Sequence, residues 1–424
     1  MKKEFKRLLE AKITDALKTI GCVLITGPKQ AGKTFLAKKF SQSQFYVQEA
    51  GIKNQTLLEI KKDNPIFTGA KPRLIDEWQI VPQIWDKVRF LIDQSDDPVG
   101  LFILTGSTRA DFKQVFHSSA GRILTIPIHT LSFAEILVNQ NQIKLSELFK
   151  KKENVDPNII CKVGFEWTAK QLLNGGWPYA LAHEISSENL LRTYLDALVL
   201  LDQQATQKFR LNQIWFKQIL ISLARLNGSQ IKLTTVLKDL KPQIDSRTLN
   251  KYINHIKNQY LIFDLDPWPL ALGNFRSKTL IRSTSKTYWS DPSIGLHLLK
   301  IKSVDHLYTD LKTLEIYFEN QVIKDLMVYA TALNGQLYFY RDSNGFEIDA
   351  IMELSDGNWA AFEIKLSQIN FDQAAQNLLR FEKRILEQKI KTKPAAFLMI
   401  ISAQNNAYQR SDGVYVVAHT CLAV

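Results

Sequence analysis

Eight consecutive residues near the start of the chain have the spacing of a phosphate-binding loop. Gly27-Pro28-Lys29-Gln30-Ala31-Gly32-Lys33-Thr34 fits the pattern G-x-x-x-x-G-K-[ST]. In such a loop the glycines let the backbone wrap phosphate groups, and the loop N–H groups point inward. We expect Lys33 to contact the β- and γ-phosphates and the Thr34 hydroxyl to bind Mg²⁺. The loop therefore predicts that these eight residues bind ATP; a glycine-rich turn without a ligand is the alternative.

Two adjacent carboxylates supply the second half of the same chemistry. Asp76 and Glu77 end the short apolar segment Leu74-Ile75. A carboxylate at the end of a strand can hold the Mg²⁺ shell, and we assign this role to Asp76. The neighbouring Glu77 can polarise the attacking water, which makes it the candidate catalytic base. Arg73 interrupts the apolar strand, which weakens the expectation of hydrolysis more than that of nucleotide binding.

Small polar residues and two arginines complete the candidate nucleotide site. Thr105 and Ser107 follow an apolar segment, where either hydroxyl could sense the γ-phosphate or position the water. An ordinary hydrogen-bonded cap at the end of a strand is the alternative for both residues. Arg109 and Arg122 are the candidates for an arginine that stabilises developing charge.

A second group of residues that could take part in catalysis lies near the end of the chain. Asp349 precedes Asp356-Gly357 by seven residues and Glu363 follows Asp356 by seven, so a hairpin there would place the two carboxylates opposite each other. Lys365 falls on the same strand face as Glu363 because strand side chains repeat every two residues. With Glu319 on the preceding helix, these residues resemble the PD-(D/E)xK nuclease site. Glu319, Asp349 and Glu363 would hold Mg²⁺ or Mn²⁺, and Lys365 would activate water. The alternative is a charged surface ladder on an inactive, nuclease-like domain.

The elements that must position the first site alternate between strand and helix. We predict a strand at Gly21–Thr26, a helix at Lys33–Phe40, and further strands at Leu101–Thr105 and Ile123–Ile128. Ser132-Phe133-Ala134-Glu135 matches a capping box that opens a helix. Continuous apolar strands that alternate with helices are typical of an α/β fold with a parallel sheet.

The middle of the chain is predicted to be helical, with Gly175-Gly176-Trp177-Pro178 as its clearest break. Three helices followed by an apolar strand at Leu261–Leu265 resemble a winged helix. The third helix has Ser246 as its expected N-cap and carries basic and amide residues on one face. These residues are Arg247, Asn250, Lys251, Asn254 and Lys257. They predict contacts with DNA, and the alternative is a solvated helix face inside an interdomain module.

The remainder, from about Leu311, is predicted to run helix, three strands, helix, two strands. We therefore divide the chain into four parts. Residues 1–164 form a P-loop ATPase core, 165–205 a helical lid, 206–285 a winged-helix-like module, and 286–424 an α+β nuclease-like domain.

The order of these motifs resembles a family of prokaryotic AAA-like ATPases that carry a further C-terminal domain of unknown function. The resemblance rests on the P-loop, Leu-Ile-Asp-Glu-Trp-Gln, Leu-Thr-Gly-Ser, Ala-Gly-Arg and Leu-Ser-Phe-Ala-Glu. The segment Lys286–Pro292 and the residues from Tyr340 to Lys365 look like that C-terminal part. The resemblance implies ATP binding and hydrolysis, a winged-helix middle and a nuclease-like end.

The composition sets the remaining expectations. Lys and Arg outnumber Asp and Glu by 54 to 42, a net charge of +12, which suits a polyanion such as DNA and is equally consistent with general solubility. An amphipathic N-terminal stretch carries Lys2, Lys3, Lys6 and Arg7, which could contact phosphates or form a solvated face. Three scattered cysteines argue against a disulfide framework and for the cytoplasm. No apolar run is long enough to span a membrane.

Three functional interpretations follow, of which the third is an interaction protein with a degenerate site at each end; the intact Lys33-Thr34 and Asp76-Glu77 argue against it for the nucleotide site. The leading one is an ATPase that uses ATP to switch or drive its C-terminal domains. These domains would engage a partner, which could be DNA or a protein. An oligomer is compatible with this interpretation. The alternative is a metal-dependent nuclease that the nucleotide-binding front half regulates.

Overall fold

The computed structural model describes residues 3–48, 65–108, 120–137, 142–150, 159–205, 212–269, 284–391 and 393–424. The chain forms two compact units. The first comprises Met1–Thr130, Trp177–Ala182 and Asn254–Leu261, and the second comprises Leu131–Gly176, His183–Ile253 and Ile262–Val424. The four-part division drawn from the sequence stays a prediction.

A five-stranded sheet forms the centre of the first unit. Its strands are β1 (Cys22–Thr26), β2 (Ser43–Tyr46), β3 (Arg73–Asp76), β4 (Phe102–Gly106) and β5 (Ile123–Pro127). Their order is β2-β3-β4-β1-β5, and every pairing is parallel. All five residues of β1 and of β4 are buried, as expected for strands covered on both faces. The predicted parallel α/β architecture is therefore confirmed.

Three helices accompany this sheet: α1 (Glu10–Leu17), α2 (Lys33–Lys38) and α3 (Gln83–Asp93). The apolar stripe of α3 buries Ile84, Trp85, Val88 and Ile92, which repeat at helical spacing. The interrupted strand β3 forms because Arg73 is buried with its guanidinium satisfied. That group donates to the carbonyl oxygens of Ile66 at 2.7 Å and Pro65 at 2.5 Å, and to the Ser43 hydroxyl at 2.9 Å.

Helices dominate the middle of the chain. They are α4 (Phe133–Ile136), α5 (Leu145–Phe149), α6 (Phe165–Asn174), α7 (Pro178–Ala182), α8 (Glu188–Ala205), α9 (Gln213–Arg225), α10 (Leu233–Asp239) and α11 (Ser246–Asn258). The predicted capping box at Ser132 and Glu135 opens α4 and is confirmed. The expected cap of α11 is corrected: Asp245, not Ser246, accepts the backbone N–H of Thr248 at 2.8 Å.

A seven-stranded mixed sheet is the core of the second unit. Its strands are β7 (Ile159–Ile160), β10 (Gly335–Arg341), β11 (Glu347–Leu354), β12 (Trp359–Lys365), β13 (Leu398–Ser402), β14 (Asn406–Gln409) and β15 (Tyr415–Ala418). Their order is β10-β11-β12-β13-β15-β14-β7. Two smaller pairings complete the unit: β6 (Ile143–Lys144) with β16 (Leu422–Ala423), and the antiparallel ribbon of β8 (Ile262–Leu265) with β9 (Lys286–Trp289).

The remaining helices are α12 (Pro292–Leu298), α13 (Val304–Thr309), α14 (Leu311–Ala332) and α15 (Phe371–Glu387). Helix α14 is buried around most of its circumference, which marks a central helix of the core. Its buried Asp325 accepts the backbone N–H of Phe133 at 2.9 Å, and Lys324 donates to the Leu131 carbonyl at 3.0 Å. The residues that follow β5 are thereby held against α14.

The sequence argued against a disulfide framework, yet two of the three cysteines form one disulfide bond. Cys161 and Cys421 are bonded, with their Cα atoms 5.7 Å apart and 260 positions between them in sequence. The Thr420 hydroxyl, next to Cys421, donates to the Val163 carbonyl at 3.3 Å and so joins the two distant segments. The spacing of the cysteines in the sequence does not indicate this contact. The cytoplasmic location stays a prediction. None of the helices in the described ranges is long and apolar enough to cross a membrane.

Candidate nucleotide site and a buried carboxylate cluster

The candidate nucleotide site begins at the loop between β1 and α2. Gly27 and Gly32 both adopt positive φ, at 149° and 89°. A Cβ at Gly27 would lie 2.2 Å from the carbonyl oxygen of Ile128, so a side chain cannot fit there. The glycines of the motif are thus required by backbone geometry, which fits a loop that wraps phosphate groups.

The P-loop lysine is buried against its own loop. Lys33 Nζ donates to the carbonyl oxygens of Pro28 at 2.8 Å and Gly27 at 3.1 Å. Burial lowers the pKa of Lys33 to about 8, although Glu77 and Asp76 favour its charged form. Its present partners are neutral carbonyls, so an incoming phosphate can replace them with a stronger, charge-assisted bond.

The start of α2 and the ends of β3 and β4 bring together the groups that would bind Mg²⁺. The Thr34 hydroxyl donates to Asp76 Oδ1 at 2.7 Å, and the Thr105 hydroxyl donates to the same oxygen at 2.5 Å. Parallel strands β3 and β4 are neighbours, so Asp76 and Thr105 end at the same edge of the sheet. A hydroxyl and a carboxylate beside the P-loop lysine are oxygen ligands suited to Mg²⁺, so the residues present fit ATP-Mg²⁺.

Glu77 is held in a strained backbone conformation beside them. Its φ of 56° lies in the left-handed region, and its backbone N–H donates to the Thr105 hydroxyl at 3.2 Å. Its carboxylate accepts the Ser107 hydroxyl at 2.8 Å and the Gln79 amide. The structure therefore joins Ser107 to Glu77, and it adds Gln79, which the sequence analysis did not single out.

Of the two arginine candidates, the structure describes only Arg122, which it places away from this site. Arg122 forms an ion pair with Asp93 at the end of α3. Arg109 lies outside the described residues.

A different arginine, Arg7, contacts the P-loop. Arg7, expected to contact phosphates or solvent, is buried. It donates to the carbonyl oxygens of Ala31 at 2.9 Å and His129 at 2.7 Å. Pro178, in the Gly-Gly-Trp-Pro break, lies 3.6 Å from where a Cβ of Gly32 would be. The basic character of the N-terminal stretch was the only sequence signal for a role of Arg7. No sequence signal indicated a role for Pro178.

The C-terminal carboxylates gather on strands β11 and β12 and on helix α14. The predicted hairpin is confirmed, since β11 and β12 pair antiparallel up to Ala350 and Phe362, and Asp349 beyond this pair accepts the backbone N–H of Ile364 at 2.7 Å. Lys365 Nζ lies 2.6 Å from Glu363 Oε2 and 3.3 Å from Asp349 Oδ2. The structure therefore places these three predicted residues in contact.

The fourth predicted residue, Glu319, joins through a lysine that the sequence analysis did not assign to the site. Lys286 Nζ on β9 lies 2.5 Å from Glu347 Oε1 and 3.5 Å from Glu319 Oε1. The Tyr288 hydroxyl donates to Glu319 at 2.6 Å, and Arg341 lies 3.5 Å from Glu347. We call Lys286, Glu319, Glu347, Asp349, Glu363 and Lys365 the carboxylate cluster.

Burial and like charge change the proton affinities within this cluster. Burial, reinforced by Asp349, raises the pKa of Glu363 to about 8, against the opposing effect of Lys365. Burial also raises the pKa of Glu319, while Lys286 opposes the shift. The acidic neighbours raise the pKa of both lysines despite burial, so Lys286 and Lys365 stay protonated.

The cluster does not fit the divalent cation that a nuclease-like site implies. Its carboxylates are the right ligand type, but each lysine contacts two of them. Among the residues that the structure describes, no three Asp, Glu, His or Cys side chains are arranged to hold a metal ion.

Three family models match successive ranges of the chain. Residues 20–137 match the model of an AAA domain, and residues 166–305 and 315–422 match models of two domains of unknown function. An uncharacterised protein of Methanocaldococcus jannaschii is 25% identical over 390 residues, covering 86% of this chain and 84% of that protein. An uncharacterised protein of Mycobacterium tuberculosis is 24% identical over 379 residues, covering 85% and 74%.

Among solved structures, the Walker-type ATPase of Pyrococcus abyssi aligns with a TM-score of 0.42 and 12% identity, covering 70% of this chain and 96% of that one. The family match over residues 20–137, the P-loop between β1 and α2 and the parallel sheet together define an AAA-type P-loop ATPase domain in this chain. In this chain the AAA domain is followed by two domains of unknown function, and the chain is similar to uncharacterised prokaryotic proteins.

Proposed function

We propose that the AAA domain binds ATP with Mg²⁺ and hydrolyses it. The observation that carries the proposal is the continuous set of contacts from Thr34 through Asp76 and Thr105 to Glu77. One edge of the sheet thereby holds a metal-binding hydroxyl and carboxylate beside a second carboxylate that can act on water. Bound Mg²⁺ would neutralise phosphate charge at Thr34 and Asp76.

The remaining residues divide the work of catalysis. Lys33 leaves the carbonyls of Gly27 and Pro28 and donates to phosphate oxygens instead. Glu77 accepts a proton from the attacking water, and Ser107 and Gln79 hold its carboxylate in place. Arg7 fixes the Ala31 carbonyl, which keeps the loop N–H groups directed towards the phosphates.

The test is ATP turnover by the full chain, measured with and without duplex DNA. Mg²⁺-dependent release of phosphate that is lost in Glu77→Gln supports hydrolysis at this site. Tight ATP binding without any turnover, under either condition, would restrict the AAA domain to a nucleotide-dependent switch.

We further propose that the middle of the chain engages DNA. Helices α9, α10 and α11, followed by the antiparallel ribbon β8–β9, have the element order of a winged helix. On α11, Leu249, Tyr252 and Ile256 are buried, whereas Arg247, Asn250, Lys251 and Asn254 are exposed and Lys257 is half-buried. Basic and amide side chains on the outer face of the third helix suit phosphate and base contacts.

A salt titration tests this second step. DNA affinity should fall with a log–log slope near −0.9 per phosphate contacted, and replacing Arg247 and Lys251 by Ala should flatten the slope by about 1.8. A matched double variant at the exposed Lys312 and Lys383 should keep the slope. Absence of DNA binding at low salt would redirect the proposal to a protein partner.

The alternative, a metal-dependent nuclease, stays a prediction. The contacts of Glu319, Asp349, Glu363 and Lys365 support a nuclease-like arrangement of the fold. The pairing of every one of these carboxylates with a lysine speaks against metal binding. A plasmid-nicking assay of the full chain with Mn²⁺ and without ATP tests this alternative directly.

A further inference from the structure

The carboxylate cluster needs cations because its acids are close together and little exposed. Glu363 and Asp349 keep only 4% and 15% of their side-chain surface, and Glu347 and Glu319 keep 27% and 24%. Negative charges in such a space repel one another, which favours the protonated form of Glu363, and each carboxylate loses part of its hydration. The carboxylates that stay ionised can be balanced by a divalent cation or by lysines.

Lysines provide that balance here, and they divide the acids between them. Lys365 spans Asp349 and Glu363, while Lys286 spans Glu347 and Glu319. Lys365 lies on the same strand as one of its partners, so the strand itself keeps its side chain beside the carboxylates. Lys286 comes from a different element, the ribbon β8–β9, where it pairs in register with Leu265.

Burial and specific contacts fix the position of Lys286. Its side chain is 6% exposed, and its ammonium lies 5.5 Å from the centre of the Phe339 ring. Tyr288, two residues further on the same strand face, donates to Glu319. The ribbon therefore presents both a cation and a hydroxyl donor to the acids of α14 and β11.

We propose that Lys286 is the resident counter-ion of this cluster and excludes a divalent cation from it. The ammonium and a metal ion compete for the carboxylates of Glu319 and Glu347, because both need the same oxygens. With Lys286 in place the C-terminal domain is metal-free. Removing the ammonium leaves Glu319 and Glu347, beside Asp349, without their shared lysine, and this turns the cluster into a site for Mn²⁺ or Mg²⁺.

The test compares Mn²⁺ binding by the full chain, without nucleotide, in the wild type and in Lys286→Met. Methionine keeps the length of the buried stem and removes the charge. Electron paramagnetic resonance of free Mn²⁺ should show no bound ion in the wild type at millimolar Mn²⁺ and about one bound ion in Lys286→Met. Replacing EDTA by Mn²⁺ should raise the melting temperature of the variant and leave that of the wild type unchanged.

The matched control is Lys391→Met. Lys391 is also largely buried, at 13% side-chain exposure, and pairs with Glu353 outside the cluster. Its loss should destabilise the fold without creating Mn²⁺ binding. A gain of Mn²⁺ binding by this control would show that the effect is not particular to the cluster.

Two results would overturn the proposal. One is a wild-type chain that binds Mn²⁺ and loses the ion on Glu363→Gln, because the metal and Lys286 would then coexist. The other is a Lys286→Met variant that binds no Mn²⁺. If this variant unfolds in EDTA, circular dichroism decides: recovery of helix signal on adding Mn²⁺ supports the proposal, and no recovery contradicts it.

Discussion

The nucleotide site and the carboxylate cluster use the same two kinds of side chain in opposite ways. At the front, Lys33 rests on the neutral carbonyls of Gly27 and Pro28. In the cluster, Lys286 and Lys365 rest on ionisable carboxylates. A buried charge on neutral partners remains under-compensated and attracts an anionic ligand, whereas a charge already paired with carboxylates has no such demand.

This difference separates a site prepared for a ligand from a site that supplies its own. We expect nucleotide to stabilise the nucleotide site strongly, and we expect the loss of the site's own internal contacts to destabilise it only weakly. We expect the cluster to be insensitive to small ligands and sensitive to the loss of either lysine. Each expectation can be checked by substitution.

The largest effect should come from Glu77→Gln. Glutamine keeps the shape of the side chain and removes the group that accepts a proton, so ATP turnover should fall by roughly a hundredfold or more. ATP affinity, followed by calorimetry, should stay nearly unchanged. Glu166→Gln, at an exposed ion pair with Lys170, is the control and should turn over normally. Normal turnover by Glu77→Gln would remove it from the catalytic role.

Lys365→Met should have the next largest effect, on stability. The substitution leaves Asp349 and Glu363 without their shared cation. We expect a loss of about 3 kcal/mol, the lower end of the range for a broken buried pair, since Lys365 is 21% exposed. Urea unfolding measures the loss, and Lys383→Met, at 77% exposure, should stay within about 0.5 kcal/mol of wild type. Unchanged stability of Lys365→Met would contradict the description of the cluster.

Lys33→Ala should weaken ATP binding by roughly ten- to a hundredfold. The lysine is expected to make charge-assisted bonds to phosphate, each contributing about 1.5–3 kcal/mol. Calorimetry measures the affinity, and Lys38→Ala, exposed on the same helix, is the control. Wild-type affinity of Lys33→Ala would refute the assignment of the loop.

The smallest effect concerns pH. In the ligand-free protein burial lowers the pKa of Lys33 to about 8, so most Lys33 side chains are neutral amines at pH 9. Phosphate binding at that pH must therefore be accompanied by the uptake of a proton. ATP affinity should therefore fall by up to about tenfold from pH 7 to pH 9. Arginine stays charged across this range, so Lys33→Arg should show little pH dependence. A flat profile for the wild type would indicate a normally titrating lysine.

Local pattern was sufficient to predict much of the fold. The strand, loop and helix around Lys33 follow one another within a few residues, and the spacing of the motif reports them directly. The antiparallel pairing of β11 with β12 followed from a turn signal at Asp356-Gly357 and the period of a strand. Both predictions needed only interactions between residues close in sequence.

Contacts between distant residues escaped sequence analysis for the same reason. Lys286 meets Glu319 and Glu347 because a ribbon packs beside a helix and a strand. Arg7 lies 122 positions from the carbonyl of His129. A basic residue has the same appearance in a sequence whether it faces solvent or a buried carbonyl, and only the packing distinguishes the two.

The strand order of the C-terminal sheet has a consequence for the order of events on the ribosome. Strand β7 pairs with β14, and β6 pairs with β16, although each early strand is made some 250 or more residues before its partner. At typical rates of about 5–20 residues per second, the early strands would wait on the order of ten to fifty seconds for those partners. Their exposed edges must stay soluble during that interval. A chain released before residue 406 would lack the strand that covers β7 altogether.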